Sequence, residues 1–390
     1  MKNEQPLRIA YFAGTMKPGH DGVTRVLFRL AESIATRNVA SVFFSPLVPP
    51  REFQQVPMIQ VPSVVFPLHR EYRLAIPSYA PFADHLKNFK PDLIHINSPC
   101  TLGYAAVRYA ALHHIPAVAT YHTHFPSYAR YYKIKPLEGM GWNYLRNLYS
   151  DCQRLYVPSK PIVDELREHG IHNTYFLPHG VDLNAFHPHY RSLDWKEAIG
   201  AGGKTVVLFV GRFVWEKDLR VLADAYQIIR SQRRDVVFAM VGDGPIREEL
   251  EQLMPGARFL GYKSGEDLAT AYASSDLFVM PSTTETFGNV TLEAMASGVA
   301  PVCANAGGAS GIIQPGVTGL LADPGEPGDL AMKVLSLIDH PGRRAEYADQ
   351  ALRFARQQTW ERIFDEMFED YRAVVDAYRG AEFKQPHKAA

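Results

Sequence analysis

The chain has 390 residues, room for two domains of ordinary size, and its 46% hydrophobic and 21% charged content excludes a fibrous or low-complexity protein. No apolar run of about 18 residues appears, residues 1–8 are polar, and Cys100, Cys152 and Cys303 stand alone, which argues against a spanning helix, a cleavable leader and a disulfide framework and for a reducing, cytoplasmic setting. The net charge of zero hides 19 Lys and Arg against 13 Asp and Glu in residues 1–190, a net of +6, and 22 against 28 in residues 191–390, a net of −6.

In chain order, residues 8–13 read as a buried strand, followed by the glycine-rich loop 14–23, which contains Gly22, and by an amphipathic helix from Thr24. This loop lacks the G-x-G-x-x-G spacing of a dinucleotide fold, so it suggests close backbone approach to a substrate rather than hydride chemistry. Residues 92–97 and 117–121 are the next strand candidates. After the latter, His122 and His124 stand at a strand end, where His122 could contact a sugar or manage a proton near neutral pH. Zinc held by these two histidines competes with that reading but has no third ligand at a usual spacing. The aromatic and basic run 125–135 is an expected contact for an anionic membrane surface, with a packed loop as the alternative. Strands at 154–157 and 175–177 complete the first block. A basic first half suits an anionic partner, whether lipid surface, phosphorylated acceptor or the acidic second half. No Lys/Arg stripe with interleaved base-stacking aromatics is present, so nucleic acid is not expected.

Residues 187–204, with Pro188, Gly200, Gly202 and Gly203, carry no strand pattern and read as the linker. Beyond it, strands are expected at 205–210, 236–241, 258–260, 277–280 and 300–303. The runs are β-branched or aromatic without polar alternation, as in parallel strands covered on both faces. Two doubly wound α/β domains follow, 1–190 and 191–360, whose facing strand ends would share one cleft. A helix at 361–380 is expected to return to the first domain, and the tail 381–390 to be disordered.

Chemistry concentrates after the strands of the second block. Gly211, Arg212 and Lys217 follow its first strand, where two cations could neutralise a diphosphate; pairing with Glu216 or Asp218 is the alternative. Gly242 and Gly244 follow the second strand, and Tyr262 the third, where a base could lie against backbone and ring. After the fourth, Glu285 and Glu293 stand eight positions apart across a strand-to-helix turn. There the amides of Phe287, Gly288 and Asn289 open a helix N-terminus suited to an anion, and Val290, which begins the helix, is a further donor-binding candidate. Two carboxylates flanking a phosphate place match a sugar nucleotide. No Asp-x-Asp occurs, so no metal is suggested for the diphosphate.

The segments 211–217, 242–245, 281–293 and 316–321, in that order, resemble the retaining GT-B glycosyltransferases of family GT4. Within the family, 122–126 and 178–182 look most like the branch of sulfoquinovosyl-diacylglycerol synthases and GDP-mannose-dependent α-mannosyltransferases. The resemblance implies a metal-independent, cofactor-free hexosyltransferase taking GDP-mannose or a UDP-hexose to a lipid or glycolipid hydroxyl, with peripheral membrane contact through the first domain. It further implies that Glu285 holds donor-sugar hydroxyls, Glu293 the ribose, Arg212 and Lys217 the diphosphate, that Gly22 approaches the reacting region and that His122 contacts the transferred sugar. The acidic residue that the family often carries after its Gly-Gly turn is missing from 307–311. A sugar-nucleotide epimerase and a non-catalytic nucleotide-sugar-binding module share this plan and stay open, as does the oligomeric state.

Overall fold

The structure, a computed structural model, describes residues 5–17, 22–65, 73–76, 78–124, 126 and 135–382. The chain forms two compact units, one of residues 1–158, 163–177 and 361–390, the other of 159–162 and 178–360.

The first unit is built on β1 (Leu7–Phe12), β2 (Val39–Ser45), β3 (Met58–Gln60), β6 (Leu93–Ile96), β7 (Ala117–Thr120), β8 (Arg154–Val157) and β9 (Thr174–Phe176), with a separate antiparallel pair, β4 (Ser63–Val65) and β5 (Arg73–Ala75). The seven strands run parallel in the order β3-β2-β1-β6-β7-β8-β9. Ile9, Ala10, Tyr11, Leu93, Ile94, Val118 and Leu155 are fully buried, as continuous apolar strands between two helical layers require. The order reverses between β1 and β6, and a sheet that reverses there leaves a crevice beyond those two strand ends.

The last helix, Trp360–Glu382, packs its 361–382 portion into this unit. Tyr371 lies 2.5 Å from Nδ1 of the fully buried His95, whose Nε2 is 2.8 Å from Thr120 Oγ1. Asp370 accepts from the Tyr156 hydroxyl at 2.8 Å, and Arg37 pairs with Asp365 at 2.7 Å. Burial lowers the His95 pKa to about 3, so the ring is a neutral hydrogen-bonding strut at physiological pH.

The second unit carries β10 (Thr205–Val210), β11 (Val236–Val241), β12 (Arg258–Gly261), β13 (Leu277–Met280), β14 (Ala300–Ala304) and β15 (Leu320–Ala322), parallel in the order β12-β11-β10-β13-β14-β15. Its reversal falls between β10 and β13. The four central strands are almost wholly inaccessible, with Val206 to Phe209, Leu277 to Met280 and Val302 all at 0%, while the edge strands β12 and β15 are partly exposed.

The chain passes between units at Leu177 and Pro178, ahead of the expected linker at 187–204. That segment is folded into the second unit instead. Ser192 caps the helix Leu193–Ala198 by accepting from the Trp195 amide at 3.1 Å, and Lys196 pairs at 2.7 Å with Asp276, which also accepts from the Val206 amide. Glycines and prolines mark turns, but ion pairs and caps decide whether those turns are packed. The returning chain lies beside the outgoing one within this unit: the Val181 amide donates to Gln358, and Val181 bridges Thr359.

Candidate functional site

The informative residues of the second unit lie at the C-terminal ends of its strands, on either side of the reversal. β10 ends in a fully apolar run, and the chain then turns through Gly211, the exposed Arg212 and a short 3-10 turn, Trp215–Lys217, before the helix Leu219–Gln232. β13 likewise ends at Met280 and passes through 281–288 into the helix Asn289–Ala296.

Three contacts fasten these two loops together. Lys217 Nζ meets Glu285 Oε1 at 2.5 Å, with side chains only 22% and 18% exposed. The Thr284 hydroxyl donates to the Glu216 carbonyl at 2.9 Å, and Asp218 Oδ2 accepts from both the amide and the hydroxyl of Thr283, at 2.8 and 2.7 Å. The partner of Lys217 is thus Glu285, not the adjacent Glu216 or Asp218. Burial works against ionisation of Glu285, but the Lys217 ammonium and hydrogen bonds from Lys217 and Ser282 outweigh it and hold the carboxyl below its ordinary pKa. At Asp218 burial prevails over the two Thr283 bonds, and its pKa is raised.

The loop after β14 closes over the same segment. The Gly308 amide donates to the Glu285 carbonyl at 2.5 Å, and a Cβ on Gly308 would stand 2.0 Å from the Thr286 carbonyl oxygen, so only glycine lets these backbones meet. Gly242 after β11 is equally constrained, since its Cβ would lie 1.9 Å from the Gly211 carbonyl oxygen. Gly244 follows in the same loop, where the Phe213 amide donates to Asp243 at 2.8 Å. Four loops, after β10, β11, β13 and β14, are therefore fixed against one another by backbone contacts and charged side chains.

The helix Asn289–Ala296 opens after Gly288. Its first internal bonds run from the Thr291 and Leu292 amides to the Gly288 carbonyl, which leaves the amides of Gly288, Asn289 and Val290 outside the helical ladder and suited to an anion. Asn289 Oδ1 accepts from Nδ1 of His179 at 2.8 Å, a neutral histidine whose pKa burial lowers to about 4. Phe287 turns inward into the core, its ring tilted against that of His179, so its contribution is the backbone. Val290 packs on that core, and Glu293, buried one turn into the helix, accepts from the Tyr272 hydroxyl at 2.9 Å. Tyr262, after β12, is 66% exposed and available as a stacking face.

Two candidates belong to the first unit. Gly22 begins the helix Gly22–Ala35, and His122 is buried just after β7. Next to it, His124 Nε2 lies 2.9 Å from Glu165. Among the described residues no cluster of three metal-binding side chains occurs, and no helix is long and apolar enough to cross a membrane. Residues 18–21 of the first glycine-rich loop, nearly all of the 125–135 run and the tail from 383 lie outside the described residues.

Sequence reasoning did not single out Asp218, Thr283, His179 or Tyr272. Asp218 and Thr283 are 65 positions apart, and His179 and Asn289 are 110, so no local spacing announces either pair. Tyr272 had a faint signal: an aromatic with a hydroxyl on an otherwise apolar helix face needs a buried acceptor.

Residues 20–185 match the family described as Glycosyltransferase Family 4, and residues 204–340 match Glycosyl transferases group 1. A GDP-mannose-dependent alpha-mannosyltransferase of Corynebacterium glutamicum is 34% identical over 95% of this chain and 90% of its own length. Sulfoquinovosyl transferase SQD2 of Arabidopsis thaliana is 34% identical over 86% of this chain and 64% of that one. Among solved structures, sucrose-phosphate synthase from Thermosynechococcus elongatus superposes with a TM-score of 0.79 at 20% identity, covering 95% of this chain and all of that one. The Anabaena protein HepE, crystallised with UDP, gives 0.76 at 21% over 94% and 100%. These two likenesses establish the fold: two Rossmann-like domains of GT-B type.

Proposed function

Because the chain belongs to glycosyltransferase family 4, it is a nucleotide-sugar-dependent glycosyltransferase, and we propose that it transfers a hexose, mannose from GDP-mannose or the hexose of a UDP-sugar, to a hydroxyl of a lipid or glycolipid with retention and without a metal. The observation that carries this reading is the Lys217–Glu285 pair at the reversal of the second sheet, beside the opening of the helix Asn289–Ala296.

Glu285 is ionised across the physiological range and, with one oxygen held by Lys217, offers acceptor capacity to donor-sugar hydroxyls. Lys217 and Arg212 supply the charge that a departing diphosphate needs, and the amides of Gly288, Asn289 and Val290 add fixed dipoles. Gly211, Gly242 and Gly244 bring backbone close to the nucleotide, Tyr262 gives the base a face, and Glu293 takes the ribose. For Gly22 and His122, in the first unit, the family resemblance supports donor-contacting roles. No carboxylate is an evident nucleophile. The bond from the anomeric carbon to the phosphate oxygen breaks while the acceptor oxygen attacks from the same face, and the leaving phosphate takes the acceptor's proton. The +6 charge of residues 1–190 supports peripheral contact of this half with an anionic lipid surface.

The test is incubation with labelled GDP-mannose, UDP-glucose or UDP-galactose and vesicles carrying diacylglycerol or its monoglycosyl derivative, with and without EDTA. An α-linked glycolipid formed equally under both conditions is expected. Isomerised sugar nucleotide would establish an epimerase, and tight binding without turnover a binding module.

A further inference from the structure

Asp218 has a left-handed backbone, with φ 54° and ψ 34°, a conformation that glycine adopts with least strain and that aspartate tolerates at some cost. It is also the N-cap of the helix Leu219–Gln232, the usual reason for an aspartate there, yet its side chain makes no capping bond to that helix. The carboxylate is spent elsewhere: Oδ2 takes both the amide and the hydroxyl of Thr283 in the facing loop. Asp218 follows Lys217 directly, and Thr283 precedes Glu285 by two residues. The clamp therefore fixes the chain on both sides of the ion pair, and the Thr284 to Glu216 bond extends it.

We propose that Asp218 is a positioning residue: it holds the 281–288 loop so that the Glu285 carboxylate is presented, already docked on Lys217, to the donor sugar. This rests on the reading of Glu285 as a donor-sugar contact. The left-handed turn places the carboxylate across the reversal of the sheet rather than over its own helix. The arrangement separates two properties, because relaxing the turn favours the fold while removing the carboxylate frees the loop.

The experiment compares Asp218→Gly, Asp218→Asn, Thr283→Val and Glu285→Ala with the wild type. It measures kcat and donor KM for transfer from labelled GDP-mannose, affinity for GDP alone, and melting temperature, with UDP-glucose and UDP replacing these if GDP does not bind. Asp218→Gly is expected to keep or raise the melting temperature and to bind the nucleotide within about twofold of wild type, yet to lose at least tenfold in kcat. Asp218→Asn keeps a tolerated left-handed residue and one acceptor, and should recover to within about threefold. Thr283→Val should fall between them. Wild-type turnover in Asp218→Gly, or parallel loss of nucleotide affinity, turnover and melting temperature, overturns the proposal. Glu285→Ala separates the failures: full activity there sinks the reading of Glu285 itself, whereas an inactive Glu285→Ala beside a fully active Asp218→Gly sinks only the positioning role.

Discussion

Replacing Lys217 by methionine removes the cation from the candidate site while keeping most of its length. Glu285 then loses the contact at 2.5 Å and both influences by which Lys217 lowers its pKa, keeping the weaker bond from Ser282 against burial. The direction of its shift should reverse, from below the ordinary carboxylate value to above it. In the wild type the depressed pKa contributes stability that is fully present above the unfolded pKa and is lost as pH falls through the folded one. In Lys217→Met the uncompensated carboxylate is a liability at neutral pH that disappears when it is protonated. A charge-assisted hydrogen bond in a part-buried setting is worth about 1.5–3 kcal/mol, so the variant should be less stable by about that amount at pH 7, and the deficit should shrink as pH falls through and below the ordinary carboxylate range. For a unit of this size the difference corresponds to roughly 3–12 °C in melting temperature. Thermal melts of both proteins across that pH range test it. Equal melting temperatures at pH 7, or a deficit that does not shrink in acid, would refute the coupling of Glu285 to Lys217.

Further outcomes follow from the same geometry. His179, with a pKa lowered to about 4, makes the second unit lose stability as pH falls from its unfolded value of 6.5 toward 4, so His179→Gln should flatten that part of the stability profile in chemical-denaturation series. The wild-type loss over this interval is about 3 kcal/mol, and an unchanged profile would argue against a buried neutral ring. Gly308→Ala forces a backbone contact of 2.0 Å apart, which should cost more than about 1 kcal/mol and cut transfer by displacing Glu285; a fully stable and active variant would contradict the close approach.

Much of the second sheet is legible in sequence because its strands are buried on both faces. Residues 236–241 and 277–280 are unbroken apolar runs and 205–210 is one after Thr205, and the observed strands have those bounds. β3, β4, β5 and β15 are three residues long and owe their character to their partners rather than to their own pattern. β2 was readable: Val39–Ser45 is β-branched and aromatic and stops before Pro46, yet the expected strands pass over it. At the site, Glu285, Lys217 and the helix opening could be placed because each sits beside a strand end. Their interlocking could not, because the bonds that fasten Asp218 to Thr283 and His179 to Asn289 join residues brought together only by the parallel sheet. This also sharpens what Glu285 is: by sequence a carboxylate in a strand-to-helix turn, it proves to be largely enclosed and docked on a fixed cation.

Glu285→Gln therefore gives the most direct measurement. It keeps the side chain's shape and a hydrogen-bonding oxygen for Lys217 but removes the negative charge. With labelled GDP-mannose and the glycolipid vesicles, transfer should fall at least 100-fold, about 2.7 kcal/mol of transition-state stabilisation, while GDP binding stays within a few-fold of wild type. Transfer at the wild-type rate with GDP still bound would contradict the assignment of the donor site to the Lys217–Glu285 pair.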